Sequence, residues 1–180
     1  MTTMRSFLSR VEPALAARVT PHHPGLVSDL LFDGFDTAVT LLLPRDDGFK
    51  PFAQIVDKDY LETLVNILTT SSESREWTAV SWCGYTEIGD CADHWGPEDS
   101  FLRPEPYVVT RVSPRRLREL LADHVPSLLF DSPLTCVLAQ PIYLDRIYAS
   151  CSHEMAARMT AELGDVCPAS RQDPLPEVYS

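Results

Sequence analysis

The sequence predicts a single α+β domain in which a mixed or antiparallel sheet of about four strands packs against roughly three to four helices. Two observations carry this expectation. Segments with apolar residues at helical spacing alternate along the chain with short runs of β-branched and aromatic residues, and turn residues separate the two kinds. At 180 residues, with 44% apolar and 9% aromatic content, the chain is long enough to fill one hydrophobic core and too short to need a second. The globular part is expected over residues 1–164. Residues 165–180 hold three prolines among mostly polar residues and read as a flexible tail.

Phe7, Leu8, Val11 and Leu15 recur at helical spacing, with Pro13 either kinking that helix or starting a second turn. Residues 37–43 are short, branched and stopped by the turn signal of Pro44 to Gly48, as in a buried strand. Asp57 is a plausible N-cap for the clearest helix of the chain, because Leu61, Leu64, Val65 and Leu68 fall at i, i+3, i+4 and i+7. The polar stretch 69–74 ends it, and the aromatic and branched residues of 77–83 suit a strand. Residues 84–106, rich in glycine and proline, read as a long loop, a length often tied to function. A strand over 107–112 then leads into a helix with Ser113 as N-cap, Pro114 at its first position, and Leu117, Leu120 and Leu121 along its buried stripe.

Cys136 to Ala139 form a short apolar run before Pro141. Leu144, Ile147, Tyr148, Cys151, Met155, Met159 and Leu163 keep helical spacing up to Gly164, so one long C-terminal helix is the first expectation. The alternative is a strand over 142–149 and then a helix capped by Ser152. There is no internal repeat and no low-complexity segment.

Charge narrows the function classes. With 15 basic against 26 acidic residues the net charge is -11, which disfavours a phosphate backbone as partner and favours a basic protein, since an acidic field steers cationic partners. Of the 15 basic residues only Lys50 and Lys58 are lysines, the coding bias of a GC-rich bacterial genome. No apolar run reaches the ~20 residues of a membrane span, and residues 1–10 lack the core of a signal peptide. Five cysteines, an odd number at irregular spacing, argue for reduced thiols, so a cytoplasmic location is expected.

Three clusters are candidates for chemistry. Cys91 and His94 have the two-residue gap of a zinc half-site, with Cys83 as a third ligand and Cys151 or His153 to complete it. No second half-site supports them, and buried thiols beside a surface histidine explain the same residues, so no metal or other cofactor is expected. A cysteine nucleophile at Cys83 or Cys151 would need a histidine such as His94, His124 or His153 in reach, and no catalytic residue is assigned. The arginines at 115, 116 and 118 face away from their leucine stripe, as solvated residues do.

The third cluster is the long loop, where Glu87, Asp90, Asp93, Glu98, Asp99 and Glu105 stand against Arg103 alone, with Tyr85, Trp95 and Phe101 interleaved. Such a run is commonly a solvated face, yet aromatic anchors ringed by charge are also the composition of a protein-binding patch. The partner-binding residues are therefore expected to be Tyr85, Glu87, Asp90, Asp93, Trp95, Glu98, Asp99 and Phe101. In size, acidity and lack of an export signal the chain has the general character of bacterial immunity or antitoxin proteins, which bind and neutralise a toxin. The rival expectation is a small enzyme or ligand- or metal-binding domain built on Cys83, Cys91 and His94.

Overall fold

Three apolar segments buried on both sides organise the architecture. The computed structural model describes residues 4–19, 27, 30–44, 57–82, 100–102, 107–123, 125–140 and 145–176. Its elements in chain order are α1 (Met4–Val11), α2 (Pro13–Ala16), β1 (Thr37–Leu42), α3 (Lys58–Ser71), β2 (Trp77–Trp82), β3 (Ser100–Leu102) and β4 (Tyr107–Val112). There follow α4 (Pro114–Asp123), β5 (Leu128–Asp131), β6 (Cys136–Ala139), β7 (Arg146–Cys151), α5 (His153–Leu163) and β8 (Val166–Pro168). The α+β class holds. Among the described residues the sheet, however, has eight strands in the order β3-β4-β2-β5-β6-β7-β1-β8, every neighbouring pair antiparallel, where about four were expected.

The expectation fell short because β5, β6 and β7 lie mid-sheet with both faces covered. Nearly every residue in them is buried, so β5 and β6 carry no alternation of apolar and polar positions to announce a strand, and in β7 the alternation of Ile147, Ala149 and Cys151 with Arg146, Tyr148 and Ser150 is overlaid by a helical spacing. The same burial overturns the long C-terminal helix. Residues 146–151 are strand β7, paired with β6 on one side and β1 on the other, and the helix starts only after Ser152. The hydroxyl of Ser152 accepts from Met155 N at 3.2 Å, the N-cap of the alternative reading.

One face of the sheet carries α3, α4 and α5. Leu64, Ile67 and Leu68 of α3, Leu117 and Leu121 of α4, and Met155 and Met159 of α5 pack on Trp77, Ala79, Leu129, Leu138, Ile147 and Ala149 in one buried cluster. On the opposite face Leu8, Leu15, Ala16, Val19 and Phe32 cover Val80, Leu128, Phe130, Val137 and Ala139. Pro13 does start a second turn there, with the Glu12 carboxylate accepting from Ala14 N.

Topology follows from the pairings. Strands β4 and β5 flank β2, both antiparallel to it, so they are parallel to each other and α4 is the crossover between them. Strands β7 and β8 flank β1 in the same way, with α5 as crossover. The sheet thus contains two split β-α-β units, each with a strand from earlier in the chain inserted between its two arms.

Of the stretch read as a flexible tail, the described residues 165–176 are held. After β8, Ala169 N donates to Ala38 O at 3.0 Å and Val27 N to Asp173 O at 3.0 Å, the Arg171 guanidinium pairs with Asp33 at 2.5 Å, and Leu175 packs by Val27, Leu31 and Tyr148. Among the described residues no helix is long and apolar enough to cross a membrane.

Candidate functional site

The expected partner-binding residues Tyr85, Glu87, Asp90, Asp93, Trp95, Glu98 and Asp99 lie outside the described residues, as do Cys83, Cys91 and His94. Phe101 is the middle residue of β3, the outermost strand at one edge, opposite Val108 of β4. Among the described residues no group of three or more His, Cys, Asp or Glu side chains is placed to hold a metal ion. Cys151 is buried inside the sheet and His153 is exposed on the first turn of α5, so the two do not meet.

At the other edge, by β1 and β8, the fold builds a groove of about 370 Å³ between the start of α3 and the end of α5. Its acidic walls follow from local helix chemistry. Asp57 is the N-cap of α3, its Oδ1 accepting from Asp59 N at 2.8 Å and Tyr60 N at 3.3 Å, and Asp59 lies in the first turn, where the helix macrodipole favours a carboxylate. Across from them Glu162 stands in the last turn of α5. Asp165 follows Gly164, whose φ of 84° turns the chain out of the helix.

Those two walls differ electrostatically. The partial positive charge of the α3 N-terminus offsets Asp57 and Asp59. The C-terminus of α5 is the negative end of its dipole, its last turn holds no basic residue, and Glu162 and Asp165 add to that potential. Arg158 satisfies Glu162 at 3.0 Å. Asp59 and Asp165 pair with no cation among the described residues, and none of the described lining residues is basic.

The rest of the lining is largely apolar. Leu42, at the end of β1, is 40% exposed, the one large apolar side chain so exposed among the described residues, and Pro44 and Leu163 extend the same surface. Leu42 N donates to Asp165 O at 3.2 Å, which fixes the strand end to the turn after α5. The Tyr60 hydroxyl is buried without a hydrogen-bond partner. Burial and then the nearby Asp165 carboxylate push its pKa up to about 12, so it stays protonated.

No protein-family model, curated protein or solved structure matches this chain. An apolar strip bordered by carboxylates suits a side chain with an aliphatic stem and a cationic head, which is the form of arginine and lysine.

The groove escapes sequence reasoning because its residues come from four separate stretches, 42–44, 57–63, 162–163 and 165. Asp57 was legible as a cap and Leu163 as a core position. Only the crossover of α5 over β1 brings them together.

Proposed function

We propose that this protein is an acidic protein-binding domain that captures and blocks a basic partner, in the manner of a bacterial immunity or antitoxin protein. The observation that carries the reading is the groove, whose described lining brings Asp59 and Asp165 together with the exposed Leu42 and holds no basic residue. The net charge of -11 supports it by attracting cationic partners over a Debye length of about 8–10 Å at physiological salt. The carboxylate-rich composition of the stretch from Glu87 to Glu105, with Tyr85, Trp95 and Phe101, is the second acidic candidate in the same reading.

The test is binding of an arginine-rich peptide at two salt concentrations by the parent chain and two charge-matched variants. One carries Asp59→Asn and Asp165→Asn. The other carries Glu73→Gln and Glu154→Gln, two exposed carboxylates outside the groove. The groove variant is expected to bind more weakly and with a flatter salt dependence than the control variant. Equal losses in the two variants would show that only overall charge matters and would sink the groove as the binding site.

A further inference from the structure

Two of the five cysteines face each other across neighbouring strands. Cys136 is the first residue of β6 and Cys151 the last of β7, and the two are direct register partners. Both are fully buried and belong to the cluster under α3, α4 and α5, so their side chains point to the same face of the sheet. Directly opposed residues of an antiparallel pair have Cα atoms about 4.5–5.5 Å apart, within the span a disulfide bridges. Both are free thiols here.

We propose that Cys136 and Cys151 are a latent redox pair that a peroxide-class oxidant closes into a disulfide stapling β6 to β7. The step balances. One sulfur attacks a peroxide oxygen, the O–O bond breaks, and the sulfur becomes a sulfenic acid while the other oxygen leaves as water. The second sulfur then attacks the first, the S–O bond breaks, and a second water leaves. Two thiols are oxidised by two electrons, and one peroxide is reduced to two waters.

Placement explains why the pair stays reduced at rest. Burial, then the neighbouring sulfur of Cys151, then Asp131 push the Cys136 thiol well above its ordinary range. Burial and the Asp36 carboxylate push Cys151 up to about 12. The thiolate is the nucleophile, so the closed fold suppresses the reaction. Access comes from the ends of the strands. Cys151 is followed at once by Ser152, the cap of α5, so fraying of that first turn uncovers the pair without separating the whole sheet. Cys167 does not compete from within the sheet, because its register partner on β1 is Thr40.

The experiment uses the full chain with Cys83, Cys91 and Cys167 replaced by Ser. After hydrogen peroxide, non-reducing peptide mapping should recover one cross-linked peptide joining Cys136 and Cys151, reversed by dithiothreitol, with the intact mass lower by two hydrogens. Closure should be slower than oxidation of free cysteine by at least about tenfold, and sub-denaturing urea should speed it. The oxidised protein should unfold at higher urea than the reduced one. If the triple variant does not fold, the parent chain is mapped instead, and the 136–151 cross-link must dominate over any pair with the other three. Recovery of both thiols free after exhaustive peroxide, or their separate conversion to sulfinic acids, would overturn the proposal.

Discussion

Ser72 and Asp131, 59 positions apart in the chain, are joined inside the protein by a 2.7 Å hydrogen bond from the Ser72 hydroxyl to Asp131 Oδ2. The Asp131 carboxylate also accepts from Thr135 N at 2.7 Å, from Cys136 N at 3.0 Å and from the Thr135 hydroxyl. One fully buried side chain thus shapes the turn between β5 and β6 and ties it to the end of α3. In that turn Leu134 is held at a φ of 55°, a conformation few leucines adopt. Replacing Asp131 by Ala strands two buried donors, the Ser72 hydroxyl and Cys136 N, and should cost at least about 2 kcal/mol in urea unfolding, whereas Asp131→Asn, which keeps one acceptor oxygen, should cost less. Equal and small losses would mean that water takes over the acceptor role.

Leu64 is fully buried, while Leu120 is only partly buried at the margin of the same cluster. Leu64→Ala should cost about 2–5 kcal/mol. Leu120→Ala should cost less, because Leu117 and Leu121 are the residues of α4 that reach the core. Equilibrium unfolding of the two variants gives the ranking directly.

The Tyr60 phenol ionises near 10.0 in the unfolded chain and near 12 in the folded one. Its contribution to stability is therefore fully present below the lower value and is lost as pH rises through that window. Alkaline unfolding curves of the parent should fall across it, and Tyr60→Phe should flatten that part of the slope. Because the hydroxyl has no partner, Tyr60→Phe at neutral pH should be neutral or stabilising by up to about 1 kcal/mol. A clear loss at neutral pH would reveal a hydrogen bond to the phenol.

Both ends of α5 are set by single residues. Ser152→Ala removes the acceptor for Met155 N and should cost about 1 kcal/mol. Gly164 has a φ of 84° with no atom within 4 Å of where a Cβ would stand, so Gly164→Ala should cost about 1 kcal/mol from backbone strain alone. Urea midpoints measure each. A neutral Gly164→Ala would show that the turn relaxes to another conformation.

Legibility in the sequence tracks how many faces an element shows to solvent. Helix α3 was readable to its cap because its outer face is polar, and β1, β2 and β4 were readable from branched and aromatic runs with turn residues beside them. Strand β5 went unread between Val125 and Thr135, where buried apolar residues and a turn leave no period to count. In β7, Ile147, Cys151 and Met155 keep a four-residue spacing that a helix would also show, and only pairing on both sides made it a strand. The three-residue strands β3 and β8 are too short to carry a pattern. Of the candidate site, the charge was legible and the groove was not, since its walls are assembled by a crossover rather than by neighbours in sequence.

The insertion of β1 between β7 and β8 bears on how the protein is made. Both partners of β1 are over a hundred residues further along the chain, so during synthesis β1 emerges from the ribosome long before anything it can pair with. The first half of the chain has to wait with β1 unmated, and the sheet closes only once residues 146–168 are out of the exit tunnel. Folding therefore waits on residues 146–168, and pairings of such long sequence separation slow it. A ribosome stalled before β7 should display a nascent chain that proteases cut and chaperones hold, while one stalled well past β8 should display a protected domain.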